Sequence, residues 1–321
     1  METMRERFCR IASDLLDTDP RLAVVLADIS ADAFGPAQRR HPDRVINLGI
    51  REQLVISVAG GLALSGMRPI AHTFASFLVE RPWEQIKLDL VHQGVGAVLA
   101  SAGASYDIAS GGRTHQSPGD VALLDTLPGF TVHVPGHPDE AERLLRASAA
   151  GDDLVYLRMS LESNLAPLAG PASGWTLLRD GSAGAVVAVG PVADEVLLAT
   201  QGMDVAVLYA ATIRPFDGAA LRATAGRPDV VLVEPYLAGT SAAQATAALA
   251  DRPHRLLSLG VGRDELRHYG TRQEHRAAHG LDAASLRERI AGFLGGGPAG
   301  PARLGGYPPI VVHGRERSHA T

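Results

Sequence analysis

The sequence predicts an α/β protein built of two open, mainly parallel sheets, each covered by helices. Three observations lead there. Short aliphatic and β-branched runs alternate with longer amphipathic stretches along the chain. Several of those runs are apolar at every position, the mark of strands buried on both faces. A stretch with Pro167, Gly170, Pro171 and Gly174 interrupts the pattern, and the same alternation then resumes. This divides the 321 residues into one domain over 1–166 and a second over 175–294. Gly and Pro dominate 295–321, which is expected to be a disordered tail.

In chain order, Arg5 to Leu16 places Phe8, Ile11, Ala12, Leu15 and Leu16 on one helical face. Leu22 to Ala27 is a continuous apolar run, read as a buried strand, with Asp28 at its carboxyl end. Gln53 to Leu64 reads as a closely packed helix of small residues. Met67–Thr73 is a strand candidate, and 79–92 is expected to be one helix with Arg81 and Pro82 near its start. Strands follow over 96–102 and 130–135. A helix over 139–149 starts with acids after a proline, and a further strand runs over 154–158. In the second domain, strands are expected over 185–189, 204–209, 230–233 and 255–259, with a last helix over 282–294.

Composition narrows the function classes. Lys and Arg number 30 against 35 Asp and Glu, a net charge of −5, which argues against a nucleic-acid partner. Cys9 is the only cysteine, so an intramolecular disulfide and a cysteine-based zinc site are both excluded. Lys87 is the only lysine, so Schiff-base chemistry would rest on that one residue. The longest nearly apolar run, Val55 to Met67, is too short to cross a bilayer, and the polar first residues lack a secretory pattern. The expected setting is cytoplasmic, away from membranes.

Common catalytic signatures are missing: there is no P-loop, no GxSxG and no HExxH. Gly260-Val-Gly262 lacks the third glycine of a dinucleotide fingerprint. His275 and His279 are spaced to share a helix face but lack a third ligand, so a solvated face is expected there and no metal site.

The informative stretch runs from Arg44 to Gln116. It contains Gly49-Ile-Arg-Glu-Gln53, then Thr73-Phe-Ala-Ser-Phe77, then Thr114-His-Gln116. In isolation, Glu52 is equally an acid at a helix start. On their own, Phe74 and Phe77 are aromatics of a kind that is usually core, and Asp28 is equally a helix cap. Taken together and in this order, the three segments resemble the pyrimidine-binding half of the transketolase family of thiamine-diphosphate enzymes. The family's G-I-x-E-Q/H, T-F-x-x-F and T-H-Q motifs match them in turn. Ala211-Thr-Ile-Arg-Pro-Phe-Asp217 is similar to the family's T-I-[KR]-P-[LIF]-D segment, which extends the resemblance over about residues 4–294.

The resemblance implies thiamine diphosphate as cofactor. It implies that Glu52 hydrogen-bonds N1′ of the aminopyrimidine and exchanges a proton with it, a role for a buried carboxyl with a raised pKa. Phe77 would stack on that ring and Phe74 line its pocket. Ile50 and Asp28 would lie near the cofactor. His115 would hydrogen-bond substrate oxygens and relay protons, with Gln116, Arg113 and Arg5 as further substrate contacts.

Two departures qualify this. The G-D-G motif that carries Mg²⁺ and the diphosphate in full-length relatives occurs nowhere in the sequence. The expectation is a split enzyme. A separate N-terminal transketolase subunit would bring Mg²⁺ and the diphosphate, in a heterotetramer of two heterodimers. In addition, Gly103, Gly111, Leu161 and Asp32 stand where sugar-phosphate enzymes carry a His, an Asp, an Arg and a Ser. Leucine cannot replace a phosphate-binding guanidinium, and Asp32 repels phosphate. The expected reaction passes a two-carbon ketol unit from a ketose, modified or unphosphorylated, to an aldehyde. The alternatives are a subunit like the β-subunit of 2-oxo-acid dehydrogenases, a pyruvate-decarboxylating synthase, or an inert scaffold.

Overall fold

The structure is a computed structural model that describes residues 2–170, 174–224, 229–267 and 269–295. The predicted tail, apart from Gly295, and residues 171–173 of the predicted linker lie outside the described residues.

The class is the one predicted. The first part of the chain forms β1 (Leu22–Leu26), β2 (Val45–Asn47), β3 (Arg68–Phe74), β4 (Val98–Ala102), β5 (Phe130–His133) and β6 (Leu154–Arg158). The second part forms β7 (Thr176–Arg179), β8 (Ala185–Val189), β9 (Ala206–Ala210), β10 (Thr212–Arg214), β11 (Asp229–Leu237) and β12 (Arg255–Val261). The first sheet has the order β10-β5-β6-β4-β3-β1-β2, the second β12-β11-β8-β9-β7. All pairings are parallel except β10 on β5 and β7 on β9. β10 was not foreseen. It crosses from the later part of the chain to cover the edge of the first sheet, with Thr212 opposite His133.

The continuous apolar runs are explained by burial on both faces. In β1, Leu22, Val24 and Leu26 pack with Phe8 and Ile11 of the helix Met4–Thr18. Val25 packs on the other face with Val55 and Ile56 of the helix Glu52–Leu64. The first of these helices starts in a capping box, Thr3 with Glu6. The second is as tightly seated as its small residues suggested. A Cβ on Gly60 would stand 2.6 Å from the Asp89 carbonyl oxygen, so only glycine allows this approach.

Residues 79–92 do not form one helix. A wide turn over Ser76–Glu80 ends at Arg81, and after Pro82 come Trp83–Gln85 and a second wide turn, Ile86–His92. Pro82 has no N–H to continue the ladder, so the chain restarts beyond it. His275 and His279 are also not on a solvated face. Both are buried, and both rings stack on Tyr106 from the first part of the chain, with centroids 5.8 Å apart in each case. Burial between the two sheets' loops uses them as packing.

A buried ion pair ties the parts together. Arg158 Nε donates to Asp120 Oδ2 at 2.7 Å, and Tyr156 donates to the same oxygen. The pair's side chains are 1% and 0% exposed, and the guanidinium lies 5.3 Å from the Tyr236 ring centroid of β11. Asp120→Asn leaves the Arg158 charge uncompensated and is expected to cost about 3–5 kcal/mol in urea unfolding, whereas adding Arg158→Met to it should recover most of that loss.

Candidate active site

Parallel sheets place ligands at the carboxyl ends of their strands, in the crevice where strand order reverses. Here β1 connects outward to β2, and the chain then crosses back to β3 on the other side of β1, so the crevice opens between β1 and β3. The predicted residues lie on the segments that leave these ends.

Beyond β1 the chain turns sharply. Asp28 and Ser30 both adopt left-handed backbone, at φ 62° and 64°, a conformation that costs a non-glycine residue energy and that clusters at functional sites. Asn47, at the end of β2, holds this turn. Its amide donates to Asp28 Oδ1 at 3.0 Å, and its carbonyl accepts from the N–H groups of Asp28 and Gly49. Asn47 thus fixes the Asp28 turn against the one that leads to Glu52. Ser30 faces β3, with its Oγ 3.1 Å from His72 Nε2. His72 Nδ1 donates to the Ala100 carbonyl at 2.7 Å, which leaves Nε2 to accept from the serine.

Glu52 opens its helix and is 4% exposed. Arg81 Nη1 donates to Glu52 Oε1 at 2.8 Å. The same guanidinium lies over the Phe77 ring, its carbon 3.6 Å from the centroid. Phe74 and His115 meet Phe77 edge-on, with centroids 5.9 Å and 5.0 Å away, and His115 also touches Phe74 at 5.8 Å. Glu52, Phe77, Phe74 and His115, read from three separate segments, are therefore one cluster. His115 Nδ1 stands 3.0 Å from Thr114 Oγ1 and 3.3 Å from the Gly111 carbonyl. A Cβ on Gly111 would come 2.7 Å from the imidazole Cγ, so glycine at this position lets the histidine ring pack against the backbone.

The other predicted residues are divided. Asp28 and Arg5 line a cleft of about 640 Å³ with Asp32, Ser30 and Cys9. Gln116 and Arg113 line a separate cleft of about 230 Å³ between the two sheets, with Glu80 and His279. Arg113 pairs there with Glu265 at 3.2 Å. Ile50 is 69% exposed at the turn before Glu52. Leu161 is 39% exposed.

Sequence reasoning missed Arg81, Asn47, Ser30 and His72 as parts of this site. Arg81 was visible only as a residue near a helix start. Asn47 stands two residues before the Gly49 motif, which was its one signal.

The fit to an aminopyrimidine can be tested on these atoms. Such a ring requires a buried carboxyl that can share a proton with its ring nitrogen, beside an aromatic face on which it stacks, and Glu52 and Phe77 stand side by side in that way. Arg81 shows that both partners can be engaged at once. For Mg²⁺, among the described residues no three His, Cys, Asp or Glu side chains gather into a metal-binding group. Among the described residues no helix is long and apolar enough to cross a membrane.

These features define a two-sheet α/β protein in which a buried carboxylate and a cluster of aromatic rings converge on the segments that leave the carboxyl ends of its first sheet. Residues 2–165 match the model of the transketolase pyrimidine-binding domain, and the chain belongs to the transketolase family. It is 57% identical over 287 residues, 88% of this chain and 92% of the relative, to a 33.6 kDa protein of the fasciation locus of Rhodococcoides fascians. It is 27% identical, over 88% of this chain and 92% of the relative, to a 6-deoxy-6-sulfo-D-fructose transketolase subunit of Clostridium sp. strain MSTE9. It also matches 1-deoxy-D-xylulose-5-phosphate synthases, at 30% identity over 92% of this chain in that of Myxococcus xanthus, and spans only 52% of that relative's length. Among solved structures, a split-gene transketolase in an inactive β4 tetramer superposes with a TM-score of 0.79 and 25% identity, over 92% of this chain and 99% of that one.

Burial lowers the His72 imidazole to about 4 from an ordinary 6.5. Between those values the unfolded chain binds a proton that the folded chain refuses. Stability is therefore full above about pH 6.5 and is lost as pH falls toward 4, by up to about 3 kcal/mol for this group. Urea unfolding at pH 7 and 4.5 should show a smaller difference in His72→Gln than in the unaltered protein; equal differences would remove His72 from this account.

Proposed function

We propose that this chain is the pyrimidine-binding subunit of a split, thiamine-diphosphate-dependent, transketolase-like enzyme. The observation that carries this is the shared engagement of Glu52 and Phe77 by one flat N–H group, with His115 at the ring's edge. When bound, thiamine diphosphate supplies the electron sink that makes a bond next to a carbonyl cleavable. This chain's residues do the rest. Glu52 holds a proton at its carboxyl toward N1′ of the ring. Phe77 and Phe74 orient the ring and exclude water from one face of it. His115 donates hydrogen bonds to substrate oxygens.

In the reaction proposed, the C2–C3 bond of a ketose breaks and a new bond forms to the carbonyl carbon of an aldehyde. A shortened aldose and a lengthened ketose leave, with no net redox change. Arg5 and Asp32 face the same cleft, and a guanidinium beside a carboxylate suits hydroxyls better than a phosphate dianion. A modified or unphosphorylated donor follows. The 6-deoxy-6-sulfo-D-fructose transketolase subunit among the relatives, whose name specifies a modified ketose, supports that reading.

We place the diphosphate and Mg²⁺ on a separate N-terminal subunit, in a heterotetramer of two heterodimers. The split-gene neighbour supports a partner, as does the exposed apolar surface at Glu52: Ile50 is 69% and Leu54 42% exposed. Within this chain, 1–166 would carry the ring seat and 175–294 would brace it. The synthase relatives favour a second reading, decarboxylation of a 2-oxo acid.

With the complex isolated from its own cells, Glu52→Gln should lower turnover by at least about 10³-fold while subunit assembly is retained. Retained activity in the assembled variant would sink the assignment. Products from a labelled ketose and from labelled pyruvate separate the two readings.

A further inference from the structure

Among the described residues, Arg81 is the cation that contacts both Glu52 and the aromatic cluster. Its Nη1 is 2.8 Å from Glu52 Oε1, and its guanidinium carbon is 3.6 Å above Phe77. Guanidinium is planar, carries N–H donors in its plane and stacks on aromatic faces. An aminopyrimidine is likewise planar and stacks on aromatic faces, and its ring nitrogen shares the proton of a carboxyl. The two groups therefore want the same carboxylate and the same ring face. Both cannot hold the same Glu52 oxygen and the same face of Phe77 at once, because the guanidinium already lies 2.8 Å from the one and 3.6 Å above the other.

The two partners differ in freedom. Glu52 is fixed at the head of a helix, with a side chain 5% exposed, whereas the Arg81 side chain is 43% exposed. Its backbone is anchored by the Ser76 carbonyl at 3.4 Å and by Gln53, whose amide donates to the Arg81 carbonyl at 3.3 Å. Pro82 follows and limits the backbone further. The long side chain can swing to solvent while its backbone stays put.

We propose that Arg81 is a gate on the ring seat: its guanidinium holds the Glu52–Phe77 pair in the place of the aminopyrimidine and must leave before the cofactor's ring enters. This rests on the reading of Glu52 and Phe77 as the pyrimidine seat. In the gated state, Glu52 keeps a counter-ion and Phe77 stays covered. A subunit away from its partner would then take up the cofactor poorly. A group that excludes a ligand in about nine molecules of ten weakens its apparent binding about tenfold, and removing the group restores it.

The test is calorimetric titration of the full chain with 4-aminopyrimidine, and separately with thiamine diphosphate and Mg²⁺. Arg81→Ala should bind the free ring about tenfold more tightly than the unaltered chain. Arg81→Lys, which keeps the charge and loses the flat face, should fall between them. Adding Glu52→Ala or Phe77→Ala to Arg81→Ala should abolish the gain. Equal binding by the unaltered chain and Arg81→Ala, both still lost on Glu52→Ala, overturns the gate and leaves the seat standing. Binding that is indifferent to Glu52→Ala and Phe77→Ala, or no binding by any form, overturns the gate and the seat together. Arg81 is half-exposed, so its variants are expected to fold, and Arg81→Lys tests the same competition with the charge kept.

Discussion

β1 and β3 lie side by side, and the chain leaves their carboxyl ends in opposite directions. Nothing in the connections can then cover the sheet between them, so a crevice persists there whatever the loops do. The rest of the site follows from how the loops adapt to that crevice. The strained turn at Asp28 and Ser30 keeps the first chain exit tight, and Asn47 ties it to the turn before Glu52. On the other side, β3 runs directly into Phe74 and the wide turn that carries Phe77 and ends at Arg81. The Ser30–His72 hydrogen bond spans the two exits below the aromatic cluster.

The loop that brings His115 to this crevice comes from further along the sheet and is not self-supporting. It is held from the second sheet. Ser105 donates to the Pro235 carbonyl, Arg113 pairs with Glu265, and the Tyr269 ring packs so closely on Gly112 that a Cβ there would stand 2.7 Å from it. Arg158 reaches the same region from below, donating to Ser105 Oγ at 2.7 Å while facing Tyr236. β10 stitches the opposite edge. Among the described residues the second part of the chain contributes none to the aromatic cluster, yet it packs on the loop that carries the histidine.

The fold class and most strands were legible because burial on both faces leaves an unmistakable apolar run, as in Leu22–Leu26 or Ala185–Val189. β10 was not, because three residues, Thr212–Arg214, carry no period, and their pairing depends on an edge formed eighty residues earlier. The break at Pro82 was misread because proline is tolerated in the first turn of a helix, and the sequence does not say which turn is first. Glu52, Phe77, Phe74 and His115 were legible through motif order, and they do converge. Arg113 and Gln116 lie on the same loop but face another cleft, since neighbouring residues in a tight 3₁₀ turn point in different directions. The histidines at 275 and 279 were misjudged because spacing shows a shared helix face and not what covers it; here Tyr106 does.

Charge explains why Glu52 and Arg81 belong to one device. A carboxylate 4% exposed needs a donor to offset its lost hydration, or it becomes a liability to folding. A fixed buried partner would meet that need permanently and would leave the carboxyl unable to serve a ring. A half-exposed arginine meets it conditionally. Its own charge stays partly hydrated, so leaving Glu52 costs it little, and Phe77 offers a resting face that is lost at the same moment. Glu52 is thus never without a partner in the proposed gate: either the guanidinium donates to it or the ring that replaces it shares its proton. The exposed apolar residues next to it, Ile50 and Leu54, are where a second protein surface would dry the exchange and tip it toward the ring, because desolvating a free guanidinium is costlier than desolvating an aromatic heterocycle.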